Sequence, residues 1–206
     1  MRTITRTYDL YQLAELSAAA RDTAYNEWLL TFEYGWDSDN RNTLEAFESV
    51  FKVKVNDWSY DTCRYSYRFT SRYSGEEEEL CGIRLLKYIV NNYWHTLFKP
   101  RTYYLKGNYK KRRKSRVFTD NCCVLTGYCA DEDILRPIYD FLKAPDTRTT
   151  LYDLMDKCLN SFFKSCRDDM EYQCSEASFE ASCAGVIVAI LSTIAFFGFI
   201  LWLFTL

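Results

Sequence analysis

The 206-residue sequence has little of what breaks or loosens a chain, with three prolines and seven glycines. Collagen-like, linker-rich and low-complexity architectures need many more of both and are excluded. Histidine occurs once, at His95. That rules out a multi-histidine metal site and leaves one candidate for any nucleophile–histidine pair. No P-loop, G-x-G-x-x-G or G-x-S-x-G pattern occurs, so the common phosphate-cradling and nucleophile-elbow signatures are missing. Two local absences say more. Residues 99–119 hold no acid, and residues 183–206 hold no charge of either sign.

What is present argues for a folded chain. The 17 tyrosines, 14 phenylalanines and five tryptophans supply ample apolar surface for burial. Nine cysteines are an odd number, and their positions do not form the compact framework of a small secreted domain. The opening MRTITRTYDLYQL has neither the apolar core nor the cleavage site of a signal peptide. Together these place the folded part in the reducing cytoplasm.

Periodicity predicts mixed elements. Thr3 to Tyr11 reads as a strand. Ser17 then caps a helix carrying Ala20, Ala24, Trp28 and Phe32 on one face. A polar turn, GWDSDNRN, leads to a second helix over Thr43–Phe51. Residues 53–73 switch to period two: Cys63, Tyr65, Tyr67 and Phe69 face one way, Arg64, Ser66 and Arg68 the other, as in a half-buried strand with a basic outer face. Residues 76–98 return to helical spacing through Leu80, Ile83, Leu86, Val90, Tyr93 and Leu97. Strands near 101–106 and 115–119 flank a basic loop. Helices follow over Asp131–Leu142 and from about Thr150 onward, the latter with Leu151, Leu154, Cys158, Leu159, Phe162 and Cys166 inward. No regular βαβ rhythm emerges. The expected fold is α+β, a small antiparallel sheet packed with several helices, over residues 1–182.

Residues 183–206, CAGVIVAILSTIAFFGFILWLFTL, form a second region. As a helix they would reach about 36 Å, enough to cross a hydrocarbon core of ~30 Å. Val186, Ile190 and Phe197 would face lipid, and Trp202 would settle at the interface. The expectation is a single-pass C-terminal transmembrane anchor with the soluble domain left in the cytoplasm. Gly185, Ala189 and Thr193 form a small-residue stripe of the kind that lets two such helices approach as a homodimer.

Charge is segregated. Residues 99–119 carry nine basic groups and no acid, so the remainder holds a net −11 against this +9. The centre is LKGNYKKRRKSR, with Lys106, Lys110, Lys111, Arg112, Arg113, Lys114 and Arg116. Gly107 and Asn108 are turn formers, so the cluster belongs to a hairpin. Such a finger can track a phosphate backbone, and Tyr109 beside it can stack on a base. An acidic protein partner, anionic lipid headgroups and a solvated loop are the other readings of the same run. Arg64 and Arg68 would extend the surface.

Other constellations fail on spacing. Cys158, Cys166 and Cys174 stand about 12 Å apart along one helix, too far to share a metal, and read as buried apolar groups. Asp37, Asp39, Glu45 and Glu48 imitate a calcium loop, but Arg41 and Asn42 break it where a ligand and a glycine are required. Asp131, Glu132 and Asp133 read as helix N-terminal charge. No catalytic residue, metal or cofactor is expected, and the chain does not read as an enzyme.

The segment TRTYDLYQLAELSAAARDTAYNEWL resembles small proteins of bacterial phages and integrative elements. These begin with a strand and an E-L-S-x-x-A-(R/K)-x-x-A helix start, here Glu15, Leu16, Ser17, Ala20, Arg21 and Ala24. NNYWHTLFKPRTYYLKGN and DNCCVLTGYCADEDILRPIYDFLK have the same look, so the resemblance covers about 180 residues. Proteins of that group are expected to end polar, and the apolar tail departs from them. The resemblance implies a non-catalytic protein that occupies a host nucleic-acid or nucleoprotein complex, as anti-CRISPR inhibitors of host defence do. Antitoxin and membrane-tethered structural or envelope-associated protein are the alternatives.

Overall fold

The computed structural model describes residues 11–72, 74–98, 102–105, 108–114 and 123–183, with backbone alone at 74 and 102–114. The chain is α+β; among the described residues there are helices and two separate two-stranded antiparallel sheets. It divides into two compact units, one of residues 1–34 with 171–206, the other of residues 35–170.

In chain order α1 (Ala18–Thr31) belongs to the smaller unit, and the larger unit opens with α2 (Asp37–Phe51). Its start corrects the sequence expectation of a turn before Thr43. Asp37 and Asp39 occupy the first turn, where carboxylates meet the positive end of the helix dipole, and Arg41 Nε donates to Asp37 Oδ2 at 3.2 Å. Polar composition that resembles a loop is here a solvated helix start. Thr43, Leu44, Phe47 and Phe51 form its buried stripe. Lys52 ends it in the left-handed region and turns the chain into β1.

Residues 53–73 form a hairpin rather than one strand. β1 (Val53–Ser59) pairs antiparallel with β2 (Arg64–Phe69), Val53 opposite Phe69 and Lys54 opposite Arg68. The expected alternation holds: Tyr65, Tyr67 and Phe69 are half-buried, while Arg64, Ser66 and Arg68 are exposed. Tyr65 lies flat on Phe163 at 5.1 Å, and its hydroxyl donates to Asp156 Oδ1 at 2.9 Å. Tyr67 stacks on Tyr152 and donates to the Tyr152 carbonyl at 2.8 Å. Burial pushes both hydroxyls above the ordinary tyrosine range, so they serve as neutral donors.

The single helix expected over 76–98 is broken. α3 (Ser74–Glu77) and α4 (Gly82–Leu97) are separate because the carbonyls between them are needed elsewhere. Leu80 O accepts from Leu151 N at 2.9 Å and Glu78 O from Tyr152 N at 3.2 Å, which satisfies amides at the start of α6 (Leu151–Gln173). Gly82 sits at φ +57° with Thr147 Cα 3.6 Å from where a Cβ would stand. The first part of the inward face differs by one residue from the expected one, with Leu85 and Ile89 in place of Leu86 and Val90, while Tyr93 and Leu97 are inward as expected. Leu85, Ile89, Tyr93 and Leu97 are buried, whereas Ile83 is 68% and Val90 38% exposed.

α5 (Ala130–Lys143) and α6 complete the core. Pro137 inside α5 has no N–H for the Asp133 carbonyl; Ser161 Oγ of α6 donates to that carbonyl at 2.8 Å instead. The inward residues expected of α6, Leu151, Leu154, Cys158, Leu159, Phe162 and Cys166, are all buried, and burial raises the Cys158 and Cys166 thiols. Thr150 and Asp153 cap α6 reciprocally, each backbone N–H bonded to the other side chain at 3.0 Å.

Asp131 is fully buried at the start of α5. Its Oδ2 accepts from the backbone amides of Leu125 (2.9 Å), Thr126 (2.7 Å) and Gly127 (3.0 Å). Its Oδ1 accepts from the hydroxyls of Thr126 (2.8 Å) and Thr43 (3.0 Å). One carboxylate thus joins α2, the turn at 125–127 and α5. It is more than the helix-end charge read from sequence.

In the smaller unit, α1 (Ala18–Thr31) is capped as expected, with Ser17 Oγ accepting from Ala20 N at 3.3 Å. Tyr25, Trp28 and Phe179 form an aromatic cluster with centroids 5.4–5.9 Å apart, and Arg21 pairs with Glu180 at 3.4 Å. Residues 3–10 of the expected first strand lie outside the described residues. So do Val186, Ile190, Phe197 and Trp202 of the expected anchor and Gly185, Ala189 and Thr193 of its stripe. Among the described residues no helix is long and apolar enough to cross a membrane.

Two outcomes follow. Asp131→Ala leaves three part-buried amides without their acceptor and is expected to cost about 2–3 kcal/mol in urea unfolding; a loss below ~1 kcal/mol would contradict the role assigned to the carboxylate. Asp146 accepts from the Thr149 amide (2.6 Å), the Thr149 hydroxyl (2.7 Å) and the Arg148 amide (2.7 Å), which hold its carboxyl down at about 2. A depressed folded pKa gives stability that is present above the ordinary value of 3.8 and is lost as pH falls toward 2. Across that window the thermal midpoint of the wild type is expected to fall more steeply than that of Asp146→Asn. Parallel curves would refute the linkage.

Candidate polyanion-binding surface

Two basic surfaces lie in the larger unit. The first is a ribbon in which β3 (Thr102–Leu105) pairs antiparallel with β4 (Asn108–Lys114). The hairpin expectation stands, but the basic run is not a loop between strands near 101–106 and 115–119. Tyr109, Lys110, Lys111, Arg112, Arg113 and Lys114 all lie within β4. Lys106 and Arg116 are outside the described residues, as are 115–119.

The register is specific. Thr102 stands opposite Lys114, Tyr103 opposite Arg113 and Tyr104 opposite Arg112. Leu105 is then opposite Asn108, so Tyr109, Lys110 and Lys111 are extra residues of β4 against the single step from Tyr104 to Leu105. Such a bulge adds twist and bends the strand that carries it.

The second surface is the outer face of the β1–β2 hairpin, where Lys54, Arg64 and Arg68 are exposed. Lys54 Nζ pairs with Glu48 Oε2 at 2.7 Å, and that carboxylate's other oxygen accepts from Val55 N at 2.7 Å. Arg68, directly opposite Lys54, has no ion pair among the described residues. Arg64 stands near the turn carboxylate Asp61, to whose lowered pKa it is a minor contributor after the Ser59 hydroxyl and the Thr62 amide. At the hairpin's end Arg41 lies over the Trp58 ring, 5.3 Å from its centroid.

His95 is exposed on α4. Asp37, Asp39, Glu45 and Glu48 are spread along α2 rather than gathered round a cation. Among the described residues no group of three or more His, Cys, Asp or Glu side chains is placed to hold a metal, and Cys63, Cys81, Cys129, Cys158, Cys166, Cys174 and Cys183 form no disulfide.

Sequence reasoning missed a cavity of about 540 Å³ between α4 and α5, lined by Leu86, Val90, Trp94, Leu135, Tyr139 and Leu142. Leu86 and Val90 carried a signal in their spacing of four, but the sequence reading assigned both to the inward face and left Trp94 out of it. Comparison of the chain with protein-family models, with curated proteins and with solved structures returned no match.

An exposed arginine with a like charge opposite and no carboxylate partner contributes little to folding. Arg68→Thr is therefore expected to leave the thermal midpoint unchanged or slightly raised. A loss above ~1 kcal/mol would show that Arg68 holds the hairpin instead.

Proposed function

We propose that the chain is a non-enzymatic binding protein of a phage or mobile element. It engages a host nucleic acid or nucleoprotein through the β3–β4 ribbon and thereby inhibits a host-defence complex in the anti-CRISPR manner. The observation that carries this reading is the run Lys110–Lys114 within a two-stranded ribbon, in a stretch of 21 residues with nine cations and no acid. Each phosphate neutralised by such a run releases condensed counterions, and the tyrosines at 103, 104 and 109 supply surfaces on which bases stack. The exposed Arg64 and Arg68 add cationic surface on a separate hairpin. The resemblance of the opening segment supplies the phage or mobile-element setting.

A second reading rests on the 24 uncharged residues 183–206. In it the chain is tethered to a membrane by a C-terminal helix, with the remainder in the cytoplasm, and its activity requires the tether.

Affinity capture from host lysate, followed by nuclease treatment, tests the first reading. Replacement of Lys110 to Lys114 by Ala is expected to abolish capture of nucleic acid or nucleoprotein, with a shallower salt dependence in any residue. Capture unchanged by the five substitutions would reject it. The same capture with residues 183–206 deleted separates the readings: full activity without the tail rejects the tether.

A further inference from the structure

We infer that the β3–β4 ribbon enters the major groove of a B-form DNA duplex, with phosphates contacted from both faces of the ribbon. The inference rests on the nucleic-acid reading above and names its partner. Directly opposed residues of an antiparallel pair share a face, and successive residues alternate. The register therefore assigns Thr102, Tyr104, Arg112 and Lys114 to one face and Tyr103 and Arg113 to the other. Each face holds a tyrosine–arginine pair, so neither is the apolar side on which a half-buried hairpin rests. The β1–β2 hairpin of the same chain makes the contrast: its tyrosines share one face and its arginines the other.

A ribbon with cations on both faces, two on one and one on the other over the paired stretch, suits a ligand that offers phosphates on two sides. A single strand or a flat surface meets one face and leaves the other cations solvated. A duplex groove has a phosphate backbone along each wall. Two strands lie about 4.8 Å apart, and with side chains they match a groove ~12 Å wide rather than the ~6 Å minor groove. The A-form major groove of duplex RNA is deep and too narrow to admit them. The register shift that leaves Tyr109–Lys111 as extra residues of β4 is compatible with a ribbon following a helical groove, since extra residues on one strand add local twist.

The test is fluorescence anisotropy with the full chain and three probes of one mixed sequence: a DNA duplex, its single strand and the RNA duplex. The DNA duplex is expected to bind tightest. Two variants divide the faces, Arg112→Ala with Lys114→Ala on one and Arg113→Ala on the other. Each is expected to weaken duplex binding, about tenfold for the pair and severalfold for the single change, and to reduce the salt slope by ~1 per cation removed. An effect confined to one face, or a single strand or RNA duplex bound as tightly as DNA, overturns the groove assignment. Dimethyl sulfate protection of guanine N7, which lies in the major groove, needs no variant: protection supports the assignment, and unprotected N7 in the saturated complex overturns it. The five-residue replacement of Lys110 to Lys114 keeps the two readings apart. If it abolishes binding while one face variant is silent, only the groove assignment fails; if it changes nothing, the nucleic-acid reading fails with it.

Discussion

The larger unit is organised around a buried charge. A carboxylate without water is costly, and among the described residues no cation pairs with Asp131. Its charge is instead spread over three backbone amides and two hydroxyls, at the N-terminal end of α5 where the helix dipole favours an anion. The arrangement is directional in a way that apolar contact is not. Leu125, Thr126 and Gly127 must present their amides to one oxygen, which Gly127 permits at φ +98°, and α2 must bring Thr43 to the other. The point at which the chain rejoins the core after the basic ribbon, at buried Val124, is fixed by that requirement.

From that junction the core is built by ordinary apolar packing of α2, α4, α5 and α6 with one face of the β1–β2 hairpin. Within it the carbonyl freed by Pro137 is paired by the Ser161 hydroxyl. β4 stands apart in composition. With cations at five consecutive positions its sequence has no alternating apolar residues there, which supports the proposal of a polyanion as its partner. The division of labour is between a core specified by hydrogen-bond geometry and a ribbon specified by charge.

Much of this was legible from residue patterns. The α+β class, the Ser17 cap, the alternation of Arg64 to Phe69 and the inward face of α6 all follow from local rules that tertiary contacts did not disturb. The failures have nonlocal causes. The helix expected over 76–98 breaks because Glu78 and Leu80 cap a helix some 70 residues away, which no local period encodes. Ile83 and Val90 are exposed, with Leu85 and Ile89 inward in their place, while Tyr93 and Leu97 keep the expected face. Asp131 looked like helix-end charge because the threonine that completes its site is 88 residues distant. The basic segment was identifiable by arithmetic, but its strand register and bulge come only from the backbone pairing.

The most direct measurement is the salt dependence of the intact chain's affinity for a nucleic-acid duplex. If the ribbon neutralises phosphates with its run of five cations, log K against log[salt] falls with a slope of roughly −3 to −5, at ~0.9 per phosphate. A slope near zero, or no binding at low salt, would contradict the assignment of the ribbon to a polyanion.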